Sequence, residues 1–406
     1  MELFFEVVGI LIRMKWTSNL SRNADFSQAL EDVSSACLDA LGASPDLTFV
    51  FASGHFRNEF ERLPAALRKR LGPTTLLGCS ASGVIGDASE VEQEPALSIT
   101  AAILPDVTVN CWHVDAEDLR PGTQHNARCT ELAQQTDGAP QQFIVLADPF
   151  SFPTEQLLRS LESGFKTSAI AGGLASGGQA PGEIVLFLDD AIHTSGAILL
   201  GLGGNIEMVT AVAQGCRPIG DPMFVSACNG NKLSALDGKA TGEVLNELFT
   251  QSDSADRELM KNSLFLGITM QPGASQYAQG DFLIRNIAGT DAEDGALWVG
   301  ADLRENQVVQ FHVRDANTSS EDLDRNLSRL ADELGEAPPS GGLLFSCIGR
   351  GRGLYAQADH DSAAVQTHLG QIPLGGFFCN GEIGPVTGTT YVHGYTSALA
   401  IFRAQR

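Results

Sequence analysis

Basic residues are scarce in this chain of 406 residues, which has 26 Lys and Arg against 49 Asp and Glu and a formal charge of −23. A phosphate surface would repel such a protein, and the longest basic run, Arg68-Lys69-Arg70, suits a solvated helix end. The composition therefore argues against a nucleic-acid partner. An apolar share of 43 % excludes general disorder, and the length predicts two or three core-forming units.

Cysteines are few and scattered, and no two have the CxxC spacing. A disulfide scaffold or a zinc site would need denser spacing, so we predict reduced, mostly buried thiols in a cytoplasmic protein. The cysteines are Cys37, Cys79, Cys111, Cys129, Cys216, Cys228, Cys347 and Cys379.

No apolar run reaches the roughly 20 residues that span a bilayer. The N-terminal segment MELFFEVVGILIRM is apolar but contains Glu2, Glu6 and Arg13, and it lacks the basic start and cleavage site of a signal peptide. We therefore expect a soluble protein. Either a short arm precedes the fold, or translation begins at Met14.

Signature motifs of the common enzyme classes are also missing. The sequence has no HExxH, no GxSxG and no phosphate-binding loop. No enzyme class, metal or cofactor is positively indicated, and we expect no cofactor.

The chain does contain an internal repeat. Short buried-strand patterns at 47–53, 143–148 and 343–347 are each followed, after 27 to 31 residues, by a turn of the form G-x-x-x-[S/N]-G. The turns begin at Gly78, Gly172 and Gly376. Helical patterns fill the gaps, and alternating strand pairs follow each turn. These patterns predict an α+β fold of repeated strand–helix–strand–hairpin units, with mixed β-sheets covered by helices and two pseudo-related halves.

Two helix starts are predicted from capping residues. Thr318-Ser-Ser-Glu321 has the form of a capping box, and Asp361 can cap the helix that follows it. Both helices would lie next to the third repeat.

A candidate anion site, Gly349-Arg350-Gly351, directly follows the third strand. Its glycines leave backbone N–H groups open, and the Arg350 guanidinium can hold a carboxylate in a fork. A tight turn with exposed arginines is the alternative interpretation. We expect the ligand pocket where the glycine turns converge, with Asn380 and Glu382 positioned to recognise an ammonium or amide group. The predicted ligand-binding residues are Gly83, Gly177, Cys347, Gly349, Arg350, Gly351, Cys379, Asn380, Gly381 and Glu382.

A second hypothesis is a cysteine-dependent hydrolase or transferase. A thiol near backbone N–H groups and Arg350 can have a lowered pKa, so Cys347 or Cys379 would be the nucleophile and His393 its base. Buried cysteines that only pack are the alternative. A third hypothesis is a protein-interaction adaptor with no ligand.

In a series of motifs from about residue 47 to the C-terminus, the sequence resembles the FIST family (F-box and intracellular signal transduction). The motifs are LGCS at 77–80, SGVIG at 82–86, AGGLASG at 171–177, GCRPIG at 215–220, LDG at 236–238, CIGRG at 347–351 and GFFCNGEIGP at 376–385.

The resemblance implies a FIST N-terminal domain over 47–235 and a FIST C-terminal domain over 236–406, after an N-terminal arm and helix over 1–46. It also implies a sensory protein that binds a small ligand such as an amino acid. The first 46 residues are too few for an F-box, and the chain holds no signalling output domain, so we expect it to act through a separate protein partner.

Overall fold

The computed structural model describes residues 13–120, 142–166 and 168–405. The predicted arm, except for Arg13, and Cys129 lie outside these ranges. The described residues form three six-stranded sheets and one seven-stranded sheet.

A first structural unit occupies the N-terminal quarter of the chain. A short 3₁₀ segment, Gly54–Glu59, follows its second strand. The elements are β1 (Lys15–Ser21), α1 (Phe26–Leu41), β2 (Leu47–Ser53), α2 (Leu63–Leu71), β3 (Thr75–Ala81), β4 (Gly83–Gly86), β5 (Ser89–Glu92) and β6 (Leu97–Ile103).

A second unit repeats this sequence of six strands. Its first strand leads into a 3₁₀ turn at Ala116–Leu119. The remaining elements are β7 (Val107–Val114), β8 (Gln142–Ala147), α3 (Thr154–Gly164), β9 (Ile170–Leu174), β10 (Leu186–Leu188), β11 (Ala191–His193) and β12 (Ala197–Gly204).

The third unit begins with β13 (Glu207–Gln214) and is then interrupted by an insertion that forms the fourth sheet. The insertion consists of β14 (Cys216–Asn229), β15 (Lys232–Leu236), β16 (Lys239–Ala240), α4 (Thr241–Gln251), α5 (Ser254–Ser263), β17 (Leu264–Thr269), β18 (Phe282–Thr290), β19 (Leu297–Val299) and β20 (Val308–Arg314). The unit resumes with α6 (Ala316–Leu334), β21 (Gly341–Cys347), α7 (Arg352–Tyr355), α8 (His360–Leu369), β22 (Leu374–Cys379), β23 (Gly381–Val386), β24 (Thr389–His393) and β25 (Thr396–Arg403).

The three six-stranded sheets have equivalent strand orders. They are β1-β6-β2-β3-β10-β11, β7-β12-β8-β9-β23-β24 and β13-β25-β21-β22-β4-β5. Each therefore combines four strands of one unit with the hairpin of another. The β4–β5 hairpin of the first unit joins the third sheet, β10–β11 joins the first, and β23–β24 joins the second. The exchange is cyclic, so the units are related by an approximate threefold arrangement.

The first glycine of each repeated turn lies where two strands approach closely. Gly78, Gly172 and Gly376 pair with Val50, Val145 and Leu344 on the parallel neighbour. A Cβ atom at each glycine would collide with the carbonyl oxygen of that same partner. The repeated glycine therefore permits the close packing of the parallel strands.

The core lies among the three related sheets. Alternate side chains of each central strand, such as Phe51, Ile144 and Phe345, point into one shared cluster, and the rings of Phe51 and Phe377 lie 4.9 Å apart. The opposite faces pack against helices: α1 and α2 on the first sheet, α3 on the second, and α6 and α8 on the third.

The predicted α+β fold class is confirmed. The repetition divides the fold into three related sheets and an inserted fourth, where the sequence had predicted two related halves. The two capping predictions were wrong. Helix α6 is capped by Asp315, which accepts from the Asn317 N–H, and α8 begins after Asp359, so Asp361 lies inside the helix. Capping preference is short-range, and neighbouring polar residues compete for the same role.

Candidate functional site

The three glycine turns do converge, and they bind one another. The backbone N–H of Ser82 donates to Ser176 Oγ at 2.8 Å, and Gly177 N–H donates to Ser82 Oγ at 3.1 Å. Asn380 Nδ2 donates to the Ala175 carbonyl at 3.0 Å. Several hydrogen-bonding groups of these turns are therefore already bonded within the fold.

The glycines that complete the turns are held by close packing. A Cβ atom at Gly83 would lie 2.8 Å from the Phe378 ring, and one at Gly381 would lie 2.9 Å from Leu174 Cδ1. Gly177 has a φ of +92° and lines a different opening, beside His55 of the first unit. The structure thus does not bring the whole predicted set into one pocket.

Of the ten predicted ligand-binding residues, six do not line the same cleft, but Cys347, Gly349, Cys379 and Asn380 do. They line a cleft of about 530 Å³ between the ends of β21 and β22 and the inserted sheet. We call it the Arg285 cleft. It is lined by Glu155, Ile284, Arg285, Asn286, Gly300, Cys347, Ile348, Gly349, Cys379, Asn380, Val392, His393, Gly394 and Tyr395.

Arg285, on β18, is the cation of this cleft. Its side chain is only 15 % exposed, and its Nη1 and Nη2 donate to the carbonyls of Ile284 and Val392 at 3.0 and 3.3 Å. The one carboxylate with which the described structure pairs it is Glu155, 3.6 Å away and itself 58 % exposed. Burial lowers the pKa of Arg285, and Glu155 opposes this shift. The guanidinium is thus desolvated and incompletely neutralised, and an anion in the cleft would stabilise it.

His393 lies in the same cleft as a neutral ring. Its Nε2 lies 2.9 Å from the Gly384 carbonyl, so Nε2 carries the proton and Nδ1 is left as an acceptor. Burial and, to a smaller extent, the nearby positive charge of Arg285 together lower the pKa of His393 to about 4. The imidazole therefore adds no positive charge near neutral pH.

Both candidate nucleophiles are held as thiols. Burial raises the pKa of Cys347 to about 12, assisted by the negative charge of Glu382, and outweighs the Gly349 N–H that points to the sulfur at 3.5 Å. Burial raises the pKa of Cys379 further above its ordinary value. This environment disfavours the thiolate that nucleophilic catalysis requires.

Tyr395 and Asn286 supply neutral polar groups on the opposite wall of the cleft. The Tyr395 hydroxyl donates to Asn286 Oδ1, and the Tyr395 ring packs on Phe265 with centroids 4.2 Å apart. Tyr395 has a φ of +64°, an uncommon conformation for a bulky residue. The contacts with Phe265 and Asn286 hold it in place.

Arg350 lies outside the cleft and is completely buried. Its Nε and Nη2 donate to the two carboxylate oxygens of Asp361 at 2.7 and 2.9 Å, and its Nη1 donates to Ser319 Oγ at 2.8 Å. The fork expected to hold a ligand carboxylate thus holds one from the protein itself. The turn that contains Arg350 is constrained as well, because Gly351 has a φ of +62° and a Cβ atom there would collide with the Glu92 carboxylate.

Glu382 is buried on β23, opposite His393 of β24. Its Oε2 accepts from the backbone N–H and hydroxyl of Thr396 at 3.0 and 2.8 Å, while Oε1 has no partner among the described residues. Burial raises the pKa of Glu382 to about 8. It lies behind the cleft rather than on its wall.

Sequence reasoning missed Arg285, Asn286 and Tyr395. The available signal was the single basic residue, Arg285, directly after the apolar run Phe282-Leu-Ile284. Their proximity to Cys347 follows from the position of the inserted sheet, which local patterns do not encode. Within the described ranges, no group of three His, Cys, Asp or Glu residues is arranged to hold a metal ion.

Comparison with known proteins identifies the family of the chain. The FIST N domain matches residues 46–239 and the FIST C domain matches residues 242–385. The chain therefore belongs to the FIST family, whose domains are generally sensory and signal-transduction modules. The family resemblance stated from the motifs is confirmed, and no F-box domain is found.

The relatives span nearly the whole chain. An uncharacterized protein of Mycobacterium tuberculosis is 36 % identical over 92 % of this chain and 95 % of its own length. Another, of Mycobacterium bovis, is 32 % identical over 93 % and 96 %. An F-box/LRR-repeat protein of Arabidopsis thaliana is 22 % identical over 92 % of this chain and 80 % of its own length. The solved structure of a cyanuric acid hydrolase from A. caulinodans aligns over 97 % of this chain and 100 % of its own, with 10 % identity and a TM-score of 0.35, too low to define the fold.

The structure also bears on membrane association. In the part of the chain that is described, no helix has the length and apolar character needed to cross a bilayer.

Proposed function

We propose that this protein is a small-ligand sensor whose Arg285 cleft binds a small carboxylate, with amino acids as the first class to test. The cleft volume of about 530 Å³ lies within the usual range for small-molecule sites. Family membership supports the sensory role, and the cleft supports the ligand class.

The observation that carries the proposal is the incompletely neutralised guanidinium of Arg285. A ligand carboxylate beside it would replace the weak contact with the exposed Glu155 by a short, charge-assisted one. Apart from Glu155, the nearby His393, Cys347 and Cys379 add no charge, since their pKa shifts all favour the uncharged forms. Asn286, Asn380 and Tyr395 would hydrogen-bond the remainder of the ligand.

The position of the cleft supports a signalling role. Arg285 and Asn286 come from the inserted sheet, while Cys347 and Asn380 come from the threefold core. A ligand bound between them would bridge the two parts and change their relative stability. We propose that a separate cytoplasmic partner protein reads this change.

The test is a thermal-shift and calorimetric screen against amino acids, small carboxylates and nucleotides, repeated with Arg285→Gln. A ligand at about 100 times its dissociation constant should stabilise the fold by roughly 2.7 kcal/mol. We expect a carboxylate to bind the wild type and to lose its affinity in Arg285→Gln.

Arg304→Gln is the matched control, because Arg304 is exposed in the loop before β20 and does not line the cleft. Equal binding by the wild type and Arg285→Gln would reject this site. Absence of any hit across the panel would favour the adaptor hypothesis.

A further inference from the structure

A second polar cleft, of about 360 Å³, lies between β13, helix α6 and the loop before β18. We call it the Gln214 cleft. It shares no lining residue with the Arg285 cleft. Its principal polar residues are Gln214, Gln279, Asp281, Asp322, Arg329 and Glu333.

Gln214 is buried with its side-chain amide locked in one orientation. Its Nε2 donates to the carbonyls of Gly280 and Phe282 at 3.2 and 3.0 Å. The reversed amide would place Oε1 against two carbonyl oxygens, so the orientation is fixed. Oε1 is consequently a buried acceptor, and the described residues offer it no donor. A ligand in this cleft has to bring an N–H or O–H group.

Gln279 has a buried donor that lacks an acceptor. Its Nε2 is buried in the wall of the same cleft and has no acceptor among the described residues. The two amides do not satisfy each other. A ligand that satisfies both therefore carries a donor and an oxygen acceptor.

The charge of the cleft favours a cation. Asp281, Asp322 and Glu333 line it together with a single base, Arg329. Arg325, outside the cleft, pairs with Asp322 at 2.7 Å, which leaves two carboxylates against Arg329. The remaining negative charge stabilises a positive ligand and repels a carboxylate.

We propose that the Gln214 cleft is a second ligand site, which binds a small protonated amino alcohol or amino amide. The ammonium group donates to Gln214 Oε1, and the ligand's oxygen accepts from Gln279 Nε2. Because the first site takes an anion and this one a cation, two different molecules can occupy the protein at the same time.

The probe is ethanolamine, titrated into the full chain at neutral pH by calorimetry. We expect saturable binding that is weaker for ethylamine, which lacks the oxygen, and absent for acetate. Gln214→Leu should weaken ethanolamine binding by about tenfold to a hundredfold, the usual effect of losing a hydrogen bond to a charged group. Saturable binding that persists unchanged in folded Gln214→Leu would overturn the proposal, as would no binding at tens of millimolar ethanolamine.

Gln214→Leu also removes two hydrogen bonds within the protein, so a second pair of variants avoids dependence on its folding. Arg329 and Glu333 are exposed on one face of α6. Arg329→Gln should strengthen ethanolamine binding and Glu333→Gln should weaken it. If the ethanolamine affinity changes in the same direction in both variants, or in neither, the assignment of a cationic ligand is wrong. Arg285→Gln should leave ethanolamine binding unchanged, so failure of one site is distinguishable from failure of the other.

Discussion

Arg350 and Asp361 form a two-pronged ion pair in which both side chains are inaccessible to solvent, with N···O distances of 2.7 and 2.9 Å. Ser346 Oγ donates to the same carboxylate at 3.0 Å, and the His360 ring lies 2.9 Å from its other oxygen. The pair thereby ties the end of β21 to helix α8. Its role is to fix the third unit, next to the Arg285 cleft.

Arg350→Ala should therefore destabilise the protein strongly. The substitution leaves Asp361 buried without its counter-ion, which typically costs about 3–5 kcal/mol. Urea denaturation followed by circular dichroism measures the change. Arg352→Ala, two residues along and exposed, is the control and should stay within about 0.5 kcal/mol of the wild type. If Arg350→Ala unfolds at the wild-type urea concentration, the structural role is wrong.

Glu382 should make the fold less stable as the pH rises. Its pKa is raised from 4.5 to about 8 by burial, so between these values the folded state holds a proton that the unfolded state has released. The unfolding free energy then falls with rising pH by up to about 1.4 kcal/mol per pH unit, and this contribution is flat above the folded-state pKa.

Glu382→Gln removes this titration while keeping the shape of the protonated acid. Unfolding free energies measured from pH 5 to 8.5 should decline less steeply in the variant than in the wild type. Glu61→Gln, at an exposed position, should retain the wild-type slope. Parallel curves for Glu382→Gln and the wild type would contradict the prediction.

Gly172→Ala should prevent normal pairing of β8 and β9. A Cβ atom there would collide with the Val145 carbonyl, and Gly172 has a φ of +152°. The free energy of unfolding should therefore fall by more than the roughly 1–3 kcal/mol that ordinary overpacking costs. Gly353→Ala is the matched control, because nothing lies within 4 Å of the position its Cβ atom would take. Its free energy of unfolding should rise by up to about 1 kcal/mol, because alanine has the higher helix propensity. Thermal melts compare the two, and a Gly172→Ala melt equal to the wild type would refute the close-approach argument.

Cys347 should react slowly with iodoacetamide despite lining a cleft. Its pKa of about 12 against an ordinary 9.0 makes the thiolate roughly a thousandfold rarer at neutral pH. Mass spectrometry of labelled protein should show slow modification in the folded state and rapid modification in urea. Selective, rapid labelling of Cys347 or Cys379 would instead revive the hydrolase hypothesis.

The local sequence predicted the central strands and the glycine turns, because strand periodicity and turn composition are properties of neighbouring residues. It did not predict the hairpin exchange, since β4 pairs with β22 almost 300 residues away. The candidate site could likewise be predicted only where it depends on neighbouring residues. Cys347 and Asn380 were found next to a glycine turn, whereas Arg285 depends on how an inserted sheet docks. Arg350 was expected to hold a ligand carboxylate, with an exposed turn as the alternative. Its actual partner, Asp361, was predicted to be a helix cap.

The exchanged hairpins also determine when each sheet can be completed during translation. Synthesis of β4 is complete at residue 86, but its neighbour β22 begins only at residue 374. At about 5–20 residues per second, that hairpin waits roughly 15 to 60 seconds for its sheet. During this interval β4 lacks its native neighbour, so its unpaired backbone groups are open to pairing with another chain.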